Sequence, residues 1–166
     1  KLNTNSNKRL FKKNSLKILS IGRLTKQKDH ITLLKAAKLI NPAIKPELII
    51  IGKGREFINL KNFIISNHLQ KIVKLVGYKV DGYNFIKKCD IFVLTSKYEG
   101  LPNVLLEAQF FKKYIISSNC PTGPKEILLN GKAGDLFKIG DYKKLAEYIN
   151  NYKLNIKKIR KKINYG

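Results

Sequence analysis

Asp90-Ile-Phe-Val-Leu-Thr-Ser-Lys-Tyr-Glu-Gly-Leu-Pro-Asn-Val-Leu-Leu-Glu107 is the stretch on which the fold turns. The apolar run from Asp90 to Thr95 has the length of a buried strand, and the residues after Pro102 carry a helical pattern. Gly100 allows close backbone approach and Pro102 suits a first helical position, so the amides of Gly100, Leu101 and Asn103 are expected to face outward as a positive helix start. Glu99 and Glu107, eight positions apart, flank that helix start. A carboxylate, an anion cradle and a second carboxylate suit a ligand that joins a sugar, a diphosphate and a ribose.

Outward from this stretch the same alternation repeats. Strands are predicted at Leu16 to Ile21, Glu47 to Ile51, Ile72 to Val76 and Tyr114 to Ser118. Helical patterns lie between them, over 55 to 68 and near 82 to 88, with a stripe at Ile31, Leu33, Leu34, Ala37 and Leu39. The alternation continues through Lys125 to Leu129 and Ala133 to Phe137 to a helix from about Asp141. Short apolar strands alternating with amphipathic helices predict an α/β domain, a Rossmann-like parallel sheet with helices on both faces. Ligands of such sheets sit beyond the carboxyl ends of the strands, where Gly22-Arg23, Gly52-Lys-Gly54, Gly77-Tyr78, Glu99-Gly100 and the loop from Ser118 to Gly123 collect.

Residues 1–13 are polar and basic without apolar periodicity and read as a tail or linker, with the packed domain over 14–166. No run of eighteen apolar residues and no signal-peptide stretch is present, so the expectation is a cytoplasmic protein. Cys89 and Cys120 have no metal-ligand spacing, which fits a reducing compartment. Lys plus Arg outnumber Asp plus Glu 34 to 11, a net charge of +23. That excess suits an anionic partner, although the abundance of Lys, Asn and Ile is equally what AT-rich codons produce. Lys153 to Lys162 holds six basic residues and no acid, interleaved with Leu154, Ile156 and Ile159. It is expected to form a basic amphipathic helix touching an anionic membrane surface, a peripheral location at the inner face of the cell membrane.

Arg23 can fork two phosphate oxygens and Lys28 add a point charge five residues later, a pairing that suits a diphosphate. The plainer reading of both is solvated surface. Gly52-Lys-Gly54 lacks the third glycine of a dinucleotide fingerprint and follows the second strand, so it reads as a tight turn beside a flat ligand. Glu99 and Glu107 also have plainer readings, as a loop acid and a helix-face ion-pair partner. No Asp-x-Asp occurs, and His30 and His68 fall on different predicted helices, which argues against a metal.

Taken together, Ile21-Gly-Arg-Leu-Thr-Lys-Gln-Lys28, Leu48-Ile-Ile-Ile-Gly-Lys-Gly54, Val76-Gly77, the Asp90 to Glu107 stretch and Pro121-Thr-Gly-Pro-Lys-Glu-Ile127 resemble the nucleotide-sugar-binding C-terminal half of a GT-B glycosyltransferase of the retaining family 4. The resemblance covers about 14 to 150. It implies that Arg23 and Lys28 bind the donor diphosphate, that Glu99 lies near the donor sugar, and that Glu107 holds the ribose hydroxyls. It also implies that Gly22 and the amides of Gly100, Leu101 and Asn103 line the sugar and phosphate, and that Gly54, Val76, Gly77 and Tyr78 wall the base pocket. No metal or other cofactor is expected, only a nucleotide diphosphate sugar as donor substrate.

Members of that family carry a second, N-terminal acceptor domain, for which this chain has no room. The implied function is the donor half of a retaining, metal-independent transferase, with the acceptor domain in the same or a separate chain. The loop from Pro121 resembles members that build lipopolysaccharide or capsule, often from UDP-sugars. A catalytically inactive nucleotide-binding or interaction module and a basic nucleic-acid-binding domain stand as alternatives. The nucleic-acid reading is disfavoured by the lack of strand-end aromatics at base-stacking spacing.

Overall fold

The computed structural model describes residues 10–166. Six strands form one parallel sheet in the order β3-β2-β1-β4-β5-β6. They are β1 (Leu16–Ile21), β2 (Pro46–Ile51), β3 (Val73–Leu75), β4 (Ile91–Leu94), β5 (Tyr114–Ser118) and β6 (Asp135–Phe137). The helices are α1 (His30–Ala37), α2 (Phe57–Ser66), α3 (Gly82–Lys88), α4 (Asn103–Phe110), α5 (Pro124–Ile127), α6 (Tyr142–Asn150) and α7 (Ile156–Ile163).

The strands are apolar along most of their length because both faces of the sheet are covered. Side chains alternate between two cores. Ile18, Leu48, Ile50, Ile91, Val93 and Ile116 face one core, which is closed by α1, α2, α6 and α7. Leu19, Ile49, Ile51, Phe92, Leu94 and Ile115 face the other, closed by α3 and α4. The period of two along each strand thus becomes a three-layer sandwich. Asp81 and Asp141 start α3 and α6 in the usual way, accepting from the amides of Asn84 at 3.3 Å and Lys144 at 3.0 Å.

Two expectations change. The packed body reaches further toward the start of the chain than residue 14: Phe11 is 5% exposed and packs with Leu10 on the α3–α4 side. Residues 1–9 of the expected tail lie outside the described residues. The anchor is Glu47, buried at the start of β2, which accepts from the Lys12 amide at 2.5 Å, Ser15 Oγ at 3.1 Å and Lys74 Nζ at 2.5 Å.

The second change concerns the terminal helix. The basic amphipathic helix forms as α7, but its apolar stripe is not free for a lipid surface: Ile159 is buried and Ile163 packs on the α1–α6 core. Lys162 also turns inward, donating to Asp135 Oδ1 at 2.9 Å and to the carbonyls of Gly131 and Gly134 at 2.7 and 2.9 Å. The domain's own core thus takes part of the apolar stripe expected to face a membrane, while Leu154 ahead of the helix stays exposed.

Glu47→Ala leaves the Lys12 amide and the Lys74 ammonium without their shared acceptor. It should lower unfolding free energy by roughly 2–4 kcal/mol in urea titrations, whereas Glu147→Ala, in an exposed ion pair, should change it by less than about 1 kcal/mol.

Candidate functional site

The chain builds the sheet outward from β1 to β3, then crosses back to place β4 against the other edge of β1. The loops after β1 and β4 therefore leave the sheet side by side at a topological switch point, where open α/β sheets hold ligands. Hydrogen bonds tie the two loops together. The Lys97 amide donates to the Gln27 carbonyl at 2.8 Å, Gln27 Nε2 to the Tyr98 carbonyl at 3.0 Å, and Thr95 Oγ1 to the Lys28 carbonyl at 2.8 Å.

Within this frame Lys28 meets Glu99. Lys28 Nζ lies 2.5 Å from Glu99 Oε1, and Ser96 Oγ donates to the same oxygen at 2.5 Å. The two side chains are only 14% and 7% exposed, so the charges are largely withdrawn from water and depend on one another. The Lys28 stem runs over Gly22, where an added Cβ would sit 3.5 Å from it. Asp29 turns the chain here in the left-handed region (φ 48°), which aspartate tolerates. Instead of capping α1, its carboxylate accepts from Thr32 Oγ1 at 2.7 Å.

Arg23 is exposed and lines a cleft of about 590 Å³ with Gln27, Arg55, Glu56 and Tyr98. Arg55 is a second guanidinium there that sequence reasoning passed over. Two glycines let the loops of this wall pack closely. A Cβ at Gly52 would meet the Gly22 carbonyl oxygen at 1.9 Å, and one at Gly54 the Leu24 carbonyl oxygen at 2.2 Å.

The start of α4 differs in detail from expectation. Pro102 precedes the helix, which begins at Asn103, and the Asn103 amide is engaged by the Leu101 carbonyl at 2.9 Å. Among the described residues the Gly100 and Leu101 amides have no such partner. The loop beneath is fastened by Thr122 Oγ1, which donates to the Glu99 carbonyl, and by Gly123 (φ 87°), where a Cβ would strike Pro102 at 2.4 Å. A resident side chain at Gly123 would push the Glu99-to-Pro102 segment away.

Glu107 makes no hydrogen bond to the Lys28–Glu99 pair among the described residues. It faces α3, where Tyr83 hydroxyl donates to it at 3.4 Å, in a cleft shared with Leu106, Phe110 and Phe111. Val76, Gly77 and Tyr78 form the segment between β3 and α3: Gly77 accepts from the Gly52 amide at 2.9 Å, and Lys53 Nζ lies 5.4 Å from the Tyr78 ring centre. The structure thus joins Arg23, Lys28 and Glu99 around adjoining loops and carries Glu107 on the α3 side. Ser96 and Tyr83, the neighbours of the two glutamates, were not singled out from sequence; Ser96, three residues before Glu99 at a strand end, carried the readable signal.

The family model for glycosyl transferases group 1 matches residues 3–166. The chain belongs to that family. An uncharacterized glycosyltransferase of Methanocaldococcus jannaschii is 38% identical over 117 residues, covering 70% of this chain and 29% of that protein. The UDP-Gal:alpha-D-GlcNAc-diphosphoundecaprenol alpha-1,3-galactosyltransferase of Escherichia coli is 34% identical over 135 residues, 79% of this chain and 35% of that protein. Among solved structures, Anabaena HepE in complex with UDP-glucose superimposes with a TM-score of 0.84 at 24% identity, over 90% of this chain and 42% of that one. The glycosyl transferase chain described here therefore has the fold of one half of a GT-B enzyme, and it spans about a third of the length of those two curated relatives.

Among the described residues of this glycosyl transferase domain, no three His, Cys, Asp or Glu side chains gather where they could hold a metal ion, and no helix is long and apolar enough to cross a membrane. Behind the Lys28 loop lies His30, buried, its Nδ1 without a hydrogen-bond partner among the described residues. Burial first, and the Lys28 charge second, push its pKa down to about 4. The unfolded chain takes up this proton near pH 6.5 and the folded one only near pH 4, so the stability from a neutral His30 is complete above pH 6.5 and drains as pH falls. Thermal unfolding should show a loss of roughly 3 kcal/mol across that window, and His30→Leu should flatten that slope.

Proposed function

We propose that this domain is the donor-binding, C-terminal half of a retaining, metal-independent glycosyltransferase that takes a nucleotide diphosphate sugar, and that it acts in the synthesis of cell-surface polysaccharide or lipopolysaccharide. The observation that carries the reading is the desolvated Lys28–Glu99–Ser96 cluster at the switch point, with Arg23 on the adjoining cleft wall. Membership of a glycosyl transferase family and the UDP-sugar named for the Escherichia coli relative support it. The acceptor half lies in another domain, of the same chain or of a partner.

Breaking the bond between an anomeric carbon and a phosphate oxygen builds positive charge on the sugar ring and negative charge on the departing diphosphate. Lys28 has three N–H donors and spends one on Glu99, so it can hold the carboxylate and a phosphate oxygen together. Arg23 offers a planar fork to the second phosphate. With the Gly100 and Leu101 amides, these groups stabilise the leaving diphosphate where other transferases use a divalent ion. Glu99, fixed by Lys28 and Ser96, faces the donor sugar, and Glu107, steadied by Tyr83, accepts the ribose hydroxyls while the Val76 to Tyr78 backbone borders the base. A cytoplasmic site of action follows from the pool that holds such donors.

Calorimetric titration with UDP, GDP and ADP tests this directly. One of the three should bind, and Arg23→Ala or Lys28→Ala should weaken it at least tenfold, about 1.4 kcal/mol. Unchanged affinity in both variants would overturn the diphosphate assignment. Glu107→Ala should cost affinity for the ribonucleotide but not for its 2′,3′-dideoxy analogue; equal losses would remove Glu107 from the ribose.

A further inference from the structure

We propose that the end of the sheet opposite the donor site is a membrane-contact surface, in which a lysine basin meets anionic lipid headgroups and Phe110 enters the headgroup–acyl boundary. A cavity of about 600 Å³ opens at the amino ends of β1 and β4. Six lysines, 12, 13, 17, 87, 88 and 113, line it against a single carboxylate, Asp90. That carboxylate is already committed, accepting from the Lys17 amide at 2.9 Å. These lysines are scattered over a hundred positions of sequence, and only the parallel topology gathers them, because each lies just before a strand that starts at this end or, for Lys17, in its first residues.

The bland reading is that lysines complement the carbonyl ends of helices. It accounts for Lys113, which donates to the Lys87 carbonyl at 2.6 Å at the end of α3. It also covers Lys87 and Lys88, in the last turn of α3, but not Lys13, which is exposed ahead of β1 and has no side-chain bond among the described residues.

The basin continues into an apolar patch. Lys87 Nζ lies 5.2 Å from the Phe111 ring centre, and Phe111 stacks edge-on with Phe110 and Tyr83 at 5.1 and 6.1 Å. Phe110, the last residue of α4, is 79% exposed; Tyr83 and Leu106, which share a cleft with Glu107, belong to the donor side and not to this surface. Cations rimming an exposed aromatic side chain match an anionic bilayer, which takes charge at its surface and apolar groups just below. A nucleic acid fits less well, since it needs planar stacking groups in succession and Phe110 stands as one ring. The surface differs from α7, part of whose apolar stripe the core occupies.

The chain contains no tryptophan, so Phe110→Trp gives a single reporter. Its emission should shift to the blue on adding vesicles of phosphatidylcholine with 30 mol% phosphatidylglycerol, and should not move with phosphatidylcholine alone. Leu154→Trp, exposed before α7, should not shift with either. In vesicle co-sedimentation the triple variant K13E/K87E/K88E should bind roughly a hundredfold more weakly, and K157E/K158E/K161E, with the same change of charge on α7, clearly less so. Equal losses in the two triple variants, a shift at position 154 but not at 110, or tight binding of a DNA oligonucleotide with no vesicle binding would each overturn the proposal.

Discussion

The placement of β1 between β2 and β4 is the constraint from which the rest of this domain follows. A chain that adds strands in one direction and then crosses back must leave two neighbouring strands whose following loops belong to distant parts of the sequence. Here those loops carry Lys28 and Glu99, separated by 71 positions, and the backbone bonds between Gln27, Lys97 and Tyr98 hold them in register. A lysine–carboxylate pair so withdrawn from water is costly to keep if stability is its only use, because apolar residues of similar volume would serve as well. The use proposed for it here is to receive the anion of a donor.

The same topology separates the molecule into two ends of unlike chemistry. Loops that follow the strands hold glycines under steric compulsion, with Gly52 and Gly54 pressed on the first loop and Gly123 on the fourth. The backbone can thus reach a flat ligand without intervening side chains. Lysines gather at the amino ends of β1 and β4, while the carboxyl end sets Arg23 and Arg55 in one cleft. A net charge of +23 therefore has a spatial pattern as well as a magnitude.

Much of this was legible from residues. The apolar runs in β1, β2, β4 and β5 have to be buried on both faces, and runs of that kind alternating with amphipathic helices leave few arrangements other than a parallel sheet between helix layers. Glu99, Lys28 and Arg23 were legible as candidates because acids are scarce and glycine-bounded strand ends are few. Less legible were features that depend on a partner far away in sequence. Glu47 reads as one more strand residue until the segment from Lys12 is seen folded onto it, and Phe11 reads as part of a polar tail until α3 and α4 close over it. The terminal helix shows the same limit. Its periodicity is plain in the sequence, but whether its apolar stripe faces lipid or core depends on how α6 and β5 are placed.

What the sequence by itself determined is the kind of each element, its family and the chemistry its loops can offer, because periodicity, glycine positions and side-chain functional groups are local properties. What only the tertiary structure decided is which of those groups meet. Lys28 and Ser96 settled on one oxygen of Glu99, Glu107 fell to Tyr83 of α3, and six dispersed lysines shared one basin. The physical reason is that strand order, unlike strand existence, is set by the packing of all the helices at once, and only strand order brings distant loops to the same end of the sheet.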